Sequence, residues 1–288
     1  MATIERKPKL MKIIPFLPSA LTLAGIVCGM TAVLRVANAD LDLHDGHAVD
    51  LLQQACWLIF GAMVFDVLDG KIARLMDAES VFGRELDSLA DVISFGVAPA
   101  FVANRFLIAL LAANDHDVTR QNFLFLALIA IVFTLCAAMR LARYNVEADG
   151  VPHSHLDGLP TPAAAGFVMA NILFFVTYVD IGRIGTGSTL AFVIQALFPF
   201  TILVTSLLMV SRVRCAHVGH LITERLNRFS ALATAVIFIP VVVWKPAEVF
   251  FVFMWAYVLW ALVPAGVRFA RRVSRKRPQL MDDIDDDE

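Results

Sequence analysis

The sequence from Asp66 to Asp91 contains two polar segments, DVLDGKIAR (66–74) and GRELDSLAD (83–91), each beside a strongly apolar run. Each segment carries two aspartates, spaced by three residues in the first and by four in the second. Either spacing places both side chains on one face of a helix. A carboxylate near the centre of a membrane helix costs roughly 2.5–3.5 kcal/mol, so four of them need a compensating cation. We therefore expect two antiparallel helices, joined by the polar link 75–84, whose carboxylate faces lie opposite each other.

These aspartates are the predicted metal ligands: Asp66, Asp69, Asp87 and Asp91. A site made only of carboxylate oxygens suits hard cations such as Mg²⁺ or Mn²⁺. We expect one or two such ions, held between the two helices.

Three residues that follow Asp69 point to a phosphate-bearing ligand. Gly70 and Ala73 are small and leave room for a ligand to approach the first helix. Arg74 offers a planar guanidinium that can bind phosphate through two hydrogen bonds. A buried ion-pair network without chemistry remains the alternative, although it would not require these residues at these offsets.

The composition is that of an integral membrane protein. Hydrophobic residues make up 59% of the 288 residues and charged residues 17%, whereas soluble domains average about 45–50% and 25%. We expect no nucleic-acid partner. The predicted fold is all-α, a polytopic bundle of about eight transmembrane helices. Each of the apolar runs is close to the roughly 20 residues that a bilayer crossing needs; they lie near 14–36, 51–70, 86–112, 122–143, 160–180, 189–211, 229–245 and 248–267.

The distribution of Lys and Arg predicts the orientation of these spans. With a cytoplasmic N-terminus, 19 of the 24 Lys and Arg residues fall on the cytoplasmic side, as the positive-inside rule requires. Both termini and the aspartates then face the cytoplasm.

The terminal segments are predicted separately from the membrane spans. Residues 1–12 are either an amphipathic segment on the membrane surface or a basic tail. We expect one membrane-embedded domain over 1–270, and a basic then acidic, disordered tail over 271–288.

The spacing D-x2-D-G-x2-A-R-x8-G-x3-D-x3-D is the signature of the CDP-alcohol phosphatidyltransferase family, and this chain resembles that family at every position of it. Three further segments resemble its phosphatidylserine synthase branch: ELDSLADVISFGVAPA (85–100), RLARYN (140–145) and GLPTPAAAG (158–166). Residues 17–22 resemble a Pro-Asn-x-x-Thr element of the family, with Ser19 in place of Asn; an ordinary helix start is the alternative.

The resemblance implies the reaction of a CDP-activated lipid with an alcohol, which yields a phosphodiester lipid and CMP. For the branch, the substrates are CDP-diacylglycerol and L-serine, and membrane lipids surround the protein, with a homodimer as one possible assembly. Synthesis of phosphatidylglycerophosphate, phosphatidylinositol or phosphatidylcholine, in the same family, is the first alternative. A divalent-cation transporter that uses the same carboxylates is the second.

The resemblance also implies roles for individual residues. Asp91, which matches the last aspartate of the motif, is expected to act as the general base. The CMP site is expected to be lined by Asp69, Gly70, Ala73, Arg74 and Gly83. From the residues themselves, Arg140 and Arg143 share a helix face and indicate an anion site for a phosphate or a substrate carboxylate. We expect one or both to bind the serine carboxylate, with Asn145 nearby; the alternative is that these arginines only anchor the helix at the membrane surface.

Overall fold

The computed structural model of the chain describes residues 16–39, 41–43, 46–76, 80–113, 119–148, 158–178, 189–211 and 245–260. Within these ranges the regular structure is entirely helical, which confirms the predicted all-α class. The helices are α1 (Phe16–Ala37), α2 (Gly46–Leu75), α3 (Val81–Asp91), α4 (Ala98–Ala113), α5 (Arg120–Ala148), α6 (Thr161–Tyr178), α7 (Thr189–Val210) and α8 (Pro246–Trp260). A π-helical segment, Val92–Val97, joins α3 directly to α4.

Five stretches of the described chain are long and apolar enough to cross a membrane. They are Leu17–Ala37, Gly46–Leu75, Val81–Ala113, Arg120–Val146 and Thr161–Tyr178. Two shorter apolar helical stretches are Leu197–Val210, which is the second part of α7, and Pro246–Trp260, which is α8. The protein is therefore a multi-pass membrane protein. The predicted amphipathic segment 1–12, the tail 271–288 and nearly all of the predicted span 229–245 lie outside the described residues, so a total of eight spans remains a prediction.

The third predicted span, 86–112, differs from the structure in its start and in its regularity. Its helix begins one turn earlier, at Val81, because the Ser80 hydroxyl caps it by accepting a hydrogen bond from the Gly83 N–H at 2.9 Å. The backbone then widens into the π-helical segment, where the Ala98 N–H bonds the Ile93 carbonyl. Pro99 follows immediately and lacks an N–H, so it cannot continue regular α-helical bonding.

The fourth predicted span, 122–143, continues in the structure to Ala148 as α5. Arg140, Arg143 and Asn145 consequently lie on the last turns of a helix and not in a loop. Leu141, which is buried on this part of the helix, helps to hold these turns against the protein. A hydrogen bond from Asn145 Nδ2 to Ser88 Oγ at 2.9 Å fixes them to α3.

Helix α1 packs against α2 and also against α3 and the π-helical segment, and so lies between the two parts of the aspartate motif. The sequence predicted two facing helices, whereas in the structure three helices surround the motif.

On the side of the molecule away from the motif, Arg105 on α4 holds the end of α1 in place through two hydrogen bonds. Its Nε donates to the Val36 carbonyl at 3.0 Å and its Nη2 to the Ala39 carbonyl at 2.6 Å.

Candidate active site

All four motif aspartates line one pocket between α1, α2 and the helix formed by α3 and the π-helical segment. Helix α2 contributes Asp66 and Asp69, and α3 contributes Asp87 and Asp91. Thr22 and Gly25 of α1, together with Ser94 and Phe95 of the π-helical segment, complete the polar and apolar lining. The structure therefore brings together residues that are far apart in sequence around one small cavity.

Three of the aspartates are arranged so that they could hold a metal ion. Asp66, Asp69 and Asp87 each offer one carboxylate oxygen, and these oxygens all lie within 4.8 Å of one another. A cluster of three anionic oxygens in an apolar helix bundle fits a hard divalent cation, which would balance their charge. Asp91 does not belong to this group of three, although it lines the same pocket.

Thr22 is a residue of the pocket that the motif does not contain. Its hydroxyl donates to Asp69 Oδ2 at 2.7 Å and lies 3.1 Å from the Pro18 carbonyl oxygen of its own helix. Both Thr22 and Asp69 are buried, with 6% and 5% of their surfaces exposed. The resemblance of residues 17–22 to a family element pointed to this position, although Thr22 was not among the predicted site residues. The hydrogen bond fixes the orientation of the Asp69 carboxylate.

The residues predicted for the nucleotide lie at the open end of α2 and at the start of α3. Gly70 is exposed. If a Cβ were added to it, no atom of the described residues outside its own helix backbone would lie within 4 Å of that Cβ. Ala73 is half-buried one turn further on, and the Arg74 Nε donates to the Gly70 carbonyl at 3.0 Å. Gly83 also has a local structural role, because a Cβ there would lie 3.1 Å from the capping Ser80 Oγ.

The basic residues at the end of α5 have separate partners. Arg140 Nη1 donates to Thr161 Oγ1 at 2.9 Å, and its guanidinium is near enough to Asp91 to interact electrostatically with it. Arg143 Nη1 donates to the Val210 carbonyl at the end of α7, at 3.3 Å. Asn145 bonds Ser88, the neighbour of Asp87. Of the three, Arg140 is the residue whose charge acts on an aspartate of the pocket.

Comparison with known proteins gives one consistent result. Residues 15–195 match a family model described as CDP-alcohol phosphatidyltransferase. A CDP-diacylglycerol–serine O-phosphatidyltransferase of Helicobacter pylori (strain ATCC 700392 / 26695) is 30% identical over 247 residues, which cover 85% of this chain and 89% of the relative. The protein of the same name from Mycobacterium tuberculosis (strain H37Rv) is 30% identical, with coverage of 93% and 83%. A third, from Bacillus subtilis (strain 168), is 30% identical, with coverage of 57% and 77%.

Proposed function

The chain belongs to the CDP-alcohol phosphatidyltransferase family of transferases, and we propose that it transfers the phosphatidyl group of CDP-diacylglycerol to the hydroxyl of L-serine, releasing CMP. The names of the Helicobacter and Mycobacterium relatives, similar over most of their length, support serine as the acceptor. The observation that carries the proposal is the pocket in which all four motif aspartates meet.

Within this pocket, Asp66, Asp69 and Asp87 are the residues that would hold Mg²⁺ or Mn²⁺. A bound divalent ion would neutralise part of the negative charge of the substrate's pyrophosphate. Thr22 orients Asp69 through its hydroxyl. Gly70 and Ala73 leave space for the CMP moiety beside α2, and Arg74, at the same end of the helix, supplies a cation for phosphate.

The proposed reaction is a single displacement. The oxygen of the serine hydroxyl attacks the phosphorus that carries the diacylglycerol, the bond from that phosphorus to the CMP oxygen breaks, and Asp91 accepts the hydroxyl proton. The position of Asp91 supports this role, because its carboxylate lines the pocket but lies outside the group of three, and the charge of Arg140 acts on it. A carboxylate that is not needed to complete the metal-binding group can face the incoming alcohol.

The contacts at the end of α5 favour Arg140 as the group that binds the serine carboxylate. Its charge acts on Asp91, so we propose that a carboxylate bound to it would bring the serine hydroxyl towards the proposed base. Arg143 and Asn145 instead fix α5 to α7 and α3. We propose that these two residues shape the acceptor site through the position of the helix that they hold.

The excess of Lys and Arg supports a cytoplasmic location for both termini and for the aspartate pocket, in a membrane of the bacterial inner-membrane type. Water-soluble serine and CMP would then enter and leave from the cytoplasm. The acyl chains of both lipids would remain in the bilayer. This arrangement, and the assignment of residues 1–270 to one domain, are parts of the proposal.

An assay of CMP release tests the function directly. The purified protein is incubated with CDP-diacylglycerol, Mn²⁺ or Mg²⁺, and one of four alcohols: L-serine, glycerol 3-phosphate, inositol or choline. We expect turnover with serine and none without metal, and Asp66→Asn serves as the inactive control. If the protein released CMP with one of the other alcohols and not with serine, it would be assigned to another branch of the family. Metal transport into vesicles with no CMP release from any alcohol would contradict the enzymatic function.

A further inference from the structure

Ser94 is a polar residue of the pocket to which the motif gives no role. It lies in the π-helical segment, only 2% of its surface is exposed, and it contributes to the lining of the aspartate pocket. Its hydroxyl has no hydrogen-bond partner in the part of the chain that the structure describes. A buried hydroxyl without a partner destabilises a fold, so a functional reason for its presence is needed.

Two other buried hydroxyl groups in these helices, those of Ser206 and Thr205, form hydrogen bonds within their own helix, and Ser94 does not. Ser206 on α7 donates to the carbonyl four residues earlier, at 2.7 Å, and Thr205 does the same. Ser94 lies where the backbone has left regular α-helical geometry. A π-helical turn changes the position of each side chain relative to the preceding carbonyl groups, and such turns often occur at functional sites.

Close packing against α1 holds Ser94 in place. A Cβ on Gly29 would lie 3.0 Å from Ser94 Cα and 3.2 Å from its Oγ. Any side chain at position 29 would therefore displace Ser94. Glycine at this position lets the hydroxyl remain at the inner end of the pocket.

The position of Ser94 relative to the aspartates indicates which ligand it would meet. It lies three residues beyond Asp91 and seven beyond Asp87, so it is about one turn deeper than Asp91 along the helix. Carboxylates can only accept hydrogen bonds, and the Thr22 hydroxyl already donates to Asp69. Ser94 Oγ can both donate and accept, and it lines the same pocket as Asp91, which is three residues before it in the sequence.

We propose that Ser94 binds the acceptor alcohol, through a hydrogen bond from or to a polar group of that substrate beside Asp91. This inference rests on the proposed function, because it needs an acceptor that reacts at Asp91. It makes Ser94 a binding residue for the acceptor, in addition to Arg140. The chemical class of its ligand is a small hydroxyl compound that carries a second polar group, such as an amino acid.

The test is the steady-state kinetics of Ser94→Ala, with Ser206→Ala as the matched control. The KM for the acceptor should rise by about 2- to 12-fold, as the loss of one neutral hydrogen bond predicts, or by more if the group bound is charged. The KM for CDP-diacylglycerol and the metal concentration for half-maximal activity should not change. Ser206→Ala should change none of these values, because among the described residues its hydroxyl bonds only its own helix.

A second pair of variants tests the position of the hydroxyl without removing it. Gly29→Ala should also raise the KM for the acceptor by displacing Ser94, whereas Gly61→Ala, where the space for a Cβ is open, should not. Thermal unfolding separates binding from folding: Ser94→Ala should not lower the melting temperature, since it removes a hydroxyl without a partner. If Ser94→Ala does not fold, Ser94→Cys, of similar size, replaces it in the assay.

Three results would overturn the inference. A changed metal requirement would assign the hydroxyl to the metal site, and a changed KM for CDP-diacylglycerol would assign it to the lipid. Unchanged kinetics would show that water alone satisfies it. The measurement uses whichever alcohol the wild-type protein accepts, so a wrong acceptor in the proposed function does not affect it. Absence of turnover in the wild-type protein with every alcohol would instead refute the proposed function.

Discussion

Replacement of Thr22 by valine should weaken metal binding without changing the shape of the pocket. Valine has nearly the same shape as threonine but lacks the hydroxyl. The Thr22 hydroxyl donates to Asp69 Oδ2 at 2.7 Å, and both residues are buried. Asp69 in turn is one of the three aspartates whose oxygens lie within 4.8 Å of one another. Loss of the hydroxyl therefore leaves one oxygen of a predicted metal ligand free to turn away from the ion.

The size of the effect follows from the burial of the pair. A hydrogen bond to a charged group contributes about 1.5–3 kcal/mol. Solvent screens this interaction only weakly here, because both residues are almost fully buried. At tenfold per 1.4 kcal/mol, the metal concentration for half-maximal activity should rise by roughly 10- to 150-fold. At saturating metal the kcat should recover much of its original value, since all four aspartates remain.

The assay is CMP release measured over a series of Mn²⁺ concentrations. Thr31→Val is the matched control, because the Thr31 hydroxyl lies on the same helix and, within the described part of the chain, bonds only the Val27 carbonyl, at 2.6 Å. Thr22→Ser retains a hydroxyl and should restore most of the metal affinity. If Thr22→Val shows the metal dependence of the wild-type protein, Thr22 does not orient Asp69 for metal binding. Helix α1 would then make no contribution to the metal site through this hydroxyl.

Three further predictions concern the nucleotide, the acceptor and the base. Ala73→Leu should block binding of a CDP-lipid by filling the space beside α2, and a binding measurement with that lipid checks this; retained affinity would contradict it. Arg140→Ala should raise the KM for serine by roughly 10- to 150-fold with little effect on the KM for CDP-diacylglycerol; the reverse pattern in initial-rate kinetics would place Arg140 on the lipid phosphates. Asp91→Asn should lower kcat by roughly 10²–10⁴ while metal and CDP-lipid still bind. In the wild-type protein, labelled CMP should not exchange into CDP-diacylglycerol when serine and its lipid product are both absent; rapid exchange under those conditions would indicate a covalent intermediate and remove the role given to Asp91.

The sequence was sufficient to predict that the motif aspartates meet, because helical periodicity and spacing determine which side chains share a face. Asp66 with Asp69, and Asp87 with Asp91, are paired by local geometry alone. The cost of carboxylates in an apolar bundle then required the two pairs to lie together, and both line the same pocket in the structure. The five long apolar helices were predictable for a similar reason, since their length and composition are local properties.

The sequence was not sufficient to predict that α1 forms part of the pocket, nor that a π-helical segment follows α3. The contact between Thr22 and Asp69 joins residues 47 positions apart, and no local pattern specifies such a pairing. The sequence analysis predicted an uninterrupted third span, and only the structure shows that a widened turn includes Ser94 and directs it to the pocket. Similarly, the charge of Arg143 suggested an anion site, whereas its contact with the Val210 carbonyl depends on the packing of α7 against α5.

The two segments that resemble the phosphatidylserine synthase branch, 140–145 and 158–166, form one connected structure beside the aspartate pocket. Arg140 of the first bonds Thr161 of the second at 2.9 Å. Gly158 has a φ of 91°, a left-handed conformation that favours glycine, and packs directly against the backbone of Met209. That packing allows the Leu159 N–H to bond the Leu208 carbonyl at 3.1 Å. Because the motif aspartates would serve any acceptor, selection among alcohols must depend on residues outside them, and this connected structure holds Arg140, whose charge acts on Asp91.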